Sequence, residues 1–174
     1  MQLLELMRNR RSVRQFTEEP VPQEKVEKVL QAALTSASGR GIRPWEFIVV
    51  QDKEEILKLS ECRPGVNKTI AGANVAIVVA ADEEQSGIWI EDCSIAMANM
   101  YLMAEEQGVG GVWIHCRERE TADGGSTEEY VKTLLGIPAN FRVLSMFCFG
   151  MPAAHPAPYE LDQLHTEKVH YGKF

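Results

Sequence analysis

The amino-acid sequence predicts a single α+β domain, and three observations carry that reading. The chain has 174 residues, enough for one hydrophobic core and too few for two full domains with a linker. Apolar strand-like runs and amphipathic helical stretches are both present, without the strict alternation that a doubly wound parallel sheet requires. No internal repeat and no linker-like shift in composition divides the chain, so residues 1–174 read as one domain. At 45% hydrophobic and 25% charged residues, the composition excludes disordered, collagen-like and disulfide-scaffold classes.

Taken in order, Leu3, Leu4 and Met7 mark a short amphipathic helix that runs into an arginine-rich segment. Pro22 suits the first turn of a second helix, in which Val26, Val29, Leu30, Ala33 and Leu34 recur at i, i+3, i+4, i+7 and i+8. Residues 35–44, TSASGRGIRP, read as a loop because Gly39, Gly41 and Pro44 break both helical and strand periods. Phe47 to Val50 is a strand, and Asp52 with Glu55 resembles a capping pair that opens a helix through Leu59. Val75 to Ala81 is apolar throughout, as in a strand covered on both faces.

Residues 87–107 read as a long helix. Trp89, Ile90, Cys93, Met97, Met100, Tyr101 and Ala104 line one side, and Ile95, Ala98, Leu102 and Met103 make the other side apolar too. Such a helix is central or lies in a subunit interface. Gly108, Gly110 and Gly111 are expected to end it, with a buried strand from Val112 to Ile114. A helix over 127–135 stops at Gly136 and Pro138, and Val143 to Phe149 forms the last strand. The proline-rich PAAHPAP, residues 152–158, leads into a polar tail ending HYGKF.

The formal charge is −7, from 25 acidic against 18 basic residues. An acidic chain repels nucleic acid and anionic membranes, so neither is expected as a partner, and an anionic ligand needs a local basic cluster. Arg8, Arg10, Arg11 and Arg14 form one. No apolar run approaches the roughly 20 residues of a spanning helix, and the first residues lack the pattern of a signal peptide, so a cytoplasmic protein is expected. Cys62, Cys93, Cys116 and Cys148 are spread singly, without metal-knuckle or dithiol spacing. They read as buried thiols, and no metal site is expected.

The segment RNRRSVR, residues 8–14, fits a phosphate site, because guanidinium forks match phosphate oxygens, and fits a solvated basic turn equally well. The loop with Ser38, Arg40 and Arg43 is small enough to approach a flat ligand, although an ordinary connection explains it as well. Trp45, Trp89 and Trp113 read first as core or interface residues. His115 follows an apolar strand, where a structural histidine is commoner than a catalyst. His155, His165 and His170 form no nucleophilic grouping, and neither a G-x-G-x-x-G nor a P-loop is present.

Four motifs change this picture: RRSVR at 10–14, SASGRGIRPWEFIVV at 36–50, GVGGVWI at 108–114 and FGMP at 149–152. In this order the chain resembles the FMN-dependent nitroreductase family, from Leu3 to the terminal HYGKF. The resemblance implies a central mixed sheet flanked by helices and an intertwined homodimer, with FMN at the subunit interface and the 87–107 helix packed on its mate. It implies that Arg10, Arg11 and Ser12 hold the phosphate with Lys173, and that Arg14 and Lys68 reach the pyrimidine edge. Ser38, Gly39, Arg40 and Gly41 of the other subunit would line the ring, with Ile42 and Arg43 close by. The backbone of Trp113, Ile114 and His115 would face the isoalloxazine, with an amide N–H at N5. No side chain need act as acid or base.

The implied reaction is ping-pong: NAD(P)H gives hydride to the flavin and leaves, and a nitroaromatic, quinone or similar small acceptor then takes two electrons. Positive charge from Lys68, Arg14 and Arg40 would favour the anionic reduced flavin. The sequence departs from the common family loop, which carries Ala-Pro-Ser and later Asn and Gln before Pro-Trp. Here Ser36, Ala37 and Ser38 are followed by Gly41 and Arg43, and arginine donates hydrogen bonds but accepts none. A flavin storage, delivery or redox-sensing protein with little turnover is the alternative, and a flavin-free anion-binding module the third reading.

Overall fold

The computed structural model describes residues 2–174. Its centre is β2 (Val75–Asp82), buried along all but its last residue, as a wholly apolar run requires. β2 pairs antiparallel with β1 (Trp45–Val50) on one side and with β4 (Phe141–Gly150) on the other, and β3 (Gly110–His115) pairs antiparallel with β4. The order is β1-β2-β4-β3. All four neighbouring strands are thus antiparallel, where the family resemblance implied a mixed sheet. The parallel component is one isolated bridge, Ser12 to Gly111. The N-terminal segment donates Val13 N–H to the Gly111 carbonyl at 3.0 Å, and then Arg14 and Gln15 turn out to solvent.

Strand alternation divides the interior into two cores. Val75, Ile77, Val79 and Ala81 face α2 (Gln23–Leu34) and α5 (Trp89–Glu106), together with Phe147 and Phe149. Ala76, Val78 and Ala80 face α3 (Lys53–Ser60), α4 (Asn67–Gly72) and α6 (Thr127–Leu135), together with Ile114, Met146 and Cys148. The short α1 (Leu3–Asn9) lies against α5. Asp52 caps α3 by accepting the Glu55 N–H at 3.0 Å, and Gly136 ends α6 in the left-handed region at φ +66°.

Three features depart from expectation. α4 lacks a readable period, because in six residues it buries only Ile70. Gly110 and Gly111 open β3 instead of ending the preceding helix, which stops at Gln107 and the left-handed Gly108. Both are needed as glycines: a Cβ at Gly110 would sit 2.6 Å from that of Val13, and one at Gly111 would collide with the Phe147 ring. The long helix is also only half covered. Its inner side enters the first core, while Ile95 and Ala98 stay exposed, as do Leu3, Leu4 and Met7 of α1, and Met7 lines one cleft with Ala98. All four cysteines are buried and free, and burial pushes the thiols of Cys62 and Cys93 up to about 12. Among the described residues, no helix is long and apolar enough to cross a membrane.

Candidate functional site

β3 is an edge strand, and its outer edge is the place to look for unpaired backbone groups. The groups of Gly110, Val112 and Ile114 turn toward β4, and Ile114 buries its side chain in the second core. On the outer edge the Gly111 carbonyl accepts from Val13, the Trp113 N–H donates to Tyr101 Oη, and the His115 carbonyl accepts from Arg63 Nη1 at 3.0 Å. By the same alternation, Trp113 C=O and His115 N–H also point outward. Of the three residues expected to face a ring, Trp113 and His115 therefore present backbone groups, and Ile114 is committed inward.

The side chains of Trp113 and His115 share one face. Trp113 Nε1–H donates to His115 Nδ1 at 3.3 Å, and the rings stack at 6.1 Å with 24° between planes. This bond assigns the imidazole proton to Nε2. Burial lowers the His115 pKa, and Arg119, Arg63 and Arg117 lower it further against the opposing Glu118. The ring is therefore neutral near pH 7. Sequence reasoning passed over these three arginines; the signal that could have found them is the recurrence of arginine in HCRER at 115–119 and after Cys62.

The N-terminal arginines do not act as one cluster. Arg8 donates from Nε to the Tyr159 carbonyl at 2.9 Å and pairs with Glu160 at 3.4 Å. Arg11 donates to the Ala157 carbonyl and lies 4.3 Å above the Tyr159 ring. Arg14 reaches back to the Ser12 carbonyl at 3.3 Å. Arg10 alone turns into a cleft of about 370 Å³ lined by Met7, Ser94, Ala98, Tyr101, Leu102 and Trp113, with its guanidinium 5.0 Å from the Tyr101 ring centre. Lys68 is exposed on α4, and Lys173 lies in the exposed terminal segment; among the described residues no hydrogen bond or ion pair joins either to this cleft. A larger cleft of about 570 Å³ between Phe16 and Val75 contains none of the expected site residues.

Residues 36–43 form a second, separate group. Gly39 N–H donates to Asp92 Oδ1 at 2.8 Å, Ser86 Oγ donates to Asp92 Oδ2 at 3.0 Å, and Asp92 is buried in the first turn of α5. Arg43 N–H donates to Ser38 Oγ at 2.9 Å, and Asn99 ties Ser36 to the helix at 2.8 Å. A Cβ at Gly39 would collide with Ile88. Arg40 and Arg43 adopt φ +55° and +54°, a conformation costing about 1–2 kcal/mol for each non-glycine residue. These anchors hold Arg40, Gly41, Ile42 and Arg43 out in solvent as a fixed prong. Asp92 and Tyr101 are nine residues apart on α5, about 13 Å along the axis, and none of residues 36–43 lines the Arg10 cleft. Asp92 was legible only as an acidic first-turn residue of an otherwise apolar helix.

The model of the nitroreductase family matches residues 7–63 and 63–151 of this chain. A protein of Methanothermobacter thermautotrophicus assigned as an NADH dehydrogenase/NAD(P)H nitroreductase is 36% identical, over 97% of this chain and 88% of the relative. The solved FMN-dependent nitroreductase of Clostridium difficile R20291 superposes with a TM-score of 0.95 at 37% identity, covering 98% of this chain and 99% of that one. A nitroreductase of Desulfovibrio desulfuricans solved in complex with FMN superposes with a TM-score of 0.81 at 25% identity, covering 100% and 98%. With the family motifs spread over the same sheet edge and loops, the chain belongs to the nitroreductase family.

Proposed function

We propose that this chain is an FMN-dependent oxidoreductase that moves two electrons from NAD(P)H to a small acceptor such as a nitroaromatic or quinone. The observation that carries the reading is the meeting, at one cleft, of the Arg10 guanidinium with Trp113 of the β3 edge strand, from whose outer edge Trp113 C=O and the neighbouring His115 N–H face outward. The lining fits a flat, largely apolar ring with an anionic end: Met7, Ala98, Leu102 and the tyrosine and tryptophan rings supply flat contact, and Arg10 supplies the charge. Support also comes from the FMN and NAD(P)H in the names of the relatives.

Bound FMN supplies the hydride and electron chemistry. The chain binds and orients it. Arg10 and Ser12 hold the phosphate, with Arg11, now tied to the terminal segment, at the rim. Arg14 and Lys68, both exposed and outside the lining of this cleft, would supply positive charge toward the pyrimidine edge of the cofactor. The prong of Ser38, Gly39, Arg40 and Gly41, and Lys173, reach the site from a second copy of the chain. His115, with its ring proton on Nε2, would offer its backbone N–H. The exposed apolar surface of Leu3, Leu4, Met7 and Ile95 is the face on which that second copy packs.

The purified protein is expected to be yellow, to bleach with NADH or NADPH without oxygen, and to recolour with a quinone. Bound FMN that neither nucleotide reduces would instead identify a storage, delivery or sensing protein, and a colourless protein that takes up no FMN would overturn both. Arg10→Ala is expected to weaken FMN binding by about 1.5–3 kcal/mol, roughly tenfold to over a hundredfold, by titration of flavin fluorescence.

A further inference from the structure

We infer that Tyr101 is a positioning residue that holds the two halves of the cleft together, an inference that rests on the FMN reading above. Tyr101 stands on α5 with its ring tilted against Phe147, 4.9 Å between centres, and Phe147 is fully buried in β4. From that fixed base it does two separate things. Its hydroxyl accepts the Trp113 N–H, and its ring lies under the Arg10 guanidinium at 5.0 Å. Tyr101 thus joins the strand edge by a hydrogen bond and Arg10 by a ring contact.

The hydroxyl decides which backbone groups the strand edge offers. Without an acceptor, the outer edge of β3 would present two donors, Trp113 N–H and His115 N–H, around one acceptor. With Trp113 N–H occupied, it presents one acceptor and one donor, and an unsatisfied N–H is removed from a half-buried position. The ring acts on the other half. A guanidinium at the end of a long side chain loses much rotamer freedom on binding an anion, and a fixed aromatic face that already holds it lessens that loss. Tyr101 touches the ligand's phosphate contact and its ring contact through other groups, so its effect on the cofactor is one of placement.

Tyr101→Phe and Tyr101→Leu separate the two roles. Tyr101→Phe keeps the ring, its base on Phe147 and the platform for Arg10, and removes only the acceptor. In the FMN-free protein, hydrogen exchange at the Trp113 amide is expected to accelerate about tenfold or more, with Val112 and Ile114 unchanged. In the loaded protein the visible spectrum and midpoint potential of bound FMN are expected to shift, while affinity falls less than about threefold. Tyr101→Leu is expected to weaken FMN binding by a further factor of about 3–30. In that background Arg10→Ala should cost measurably less than in the wild type, a non-additivity that a residue merely filling the core would not produce. Unchanged Trp113 exchange and an unchanged flavin spectrum in Tyr101→Phe, or strict additivity of Arg10→Ala with Tyr101→Leu, would overturn the inference. Failure of the wild type to bind FMN would instead defeat the functional reading, and the exchange measurement would still decide the role of the hydroxyl.

Discussion

The body of the molecule, residues 3–151, and its terminal arm, residues 152–174, bury their apolar residues in opposite ways. In the body, Phe147, Phe149, Met97 and Ile77 are wholly enclosed between sheet and helices. In the arm, Leu161, Leu164 and Val169 are about half exposed or more, and Tyr171 is 94% exposed. What ties the arm down is polar and confined to its first part: Ala153 N–H to Gln15 C=O, His155 to Glu105, Arg11 to Ala157, and Tyr159 and Glu160 to Arg8. Beyond Glu160 the hydrogen bonds are local. The lesson is thermodynamic. Half-exposed apolar side chains of the arm gain only part of their burial free energy from their own chain, and the proposed pairing with the α1 and α5 face of a second copy would supply more.

The strongest way to break that comparison is to remove residues 153–174. The truncated protein is expected to lose the proposed dimer and FMN retention together, with the dimer dissociation constant raised at least about a thousandfold if two or three arm side chains are buried in that pairing. Sedimentation and flavin retention on gel filtration check this, and a truncated chain that stays dimeric and yellow would remove the contrast. Phe147→Ala probes the body alone: cavity formation at a closed position is expected to cost about 3–5 kcal/mol in chemical denaturation, where Phe174→Ala in the separated monomer should cost nothing measurable.

Charge sharpens the same contrast. Glu128 has an 8% exposed side chain and accepts from Arg142 Nε at 3.0 Å, whereas Glu160 of the arm is 65% exposed beside Arg8. Burial raises the Glu128 pKa, but the hydrogen bond and charge of Arg142, with the N–H groups of Val143 and Glu118, outweigh it and hold the carboxyl below its ordinary value of 4.5. Because the folded value is the lower one, this contribution is complete above about pH 4.5 and is lost as pH falls through the folded value. Glu128→Gln should therefore cost about 1–3 kcal/mol near pH 7 and flatten the acid limb of the stability profile. Glu160→Gln should leave both unchanged. A small local effect is expected from Tyr159→Leu, which removes an exposed cation–π contact worth about 0.5–1 kcal/mol and should raise proteolytic nicking of the arm without moving the melting temperature of the body.

Much of the fold was legible because its elements have strong, local signatures. The unbroken run Val75 to Ala81, the stripe Val26 to Ala33 and the caps Asp52 and Gly136 each state their structure within a few residues. α4 was not legible because six residues with one buried side chain carry no period. Gly110 and Gly111 read as a helix stop, since a glycine required by a distant Val13 or Phe147 looks the same in sequence as one required by a turn. The site divides along the same line. The arginines at 8, 10, 11 and 14 are indistinguishable by spacing, yet Tyr159 and Ala157, about 150 residues away in sequence, draw two of them to the arm and leave Arg10 to the cleft.

By itself the sequence determined the class of the fold, the positions of its strands and main helices, the presence of a basic segment in an acidic chain and the resemblance to nitroreductases, because each is written in local period, composition or motif. The tertiary structure alone decided that the sheet is antiparallel with one parallel bridge, that Tyr101 spends its hydroxyl on Trp113, and that Asp92, about 13 Å along α5 from Tyr101, anchors the prong. These depend on which atoms meet across long stretches of chain, and chain separation leaves no local mark. The exposed arm and the exposed α5 face are the surfaces that the proposed pairing of two copies would join.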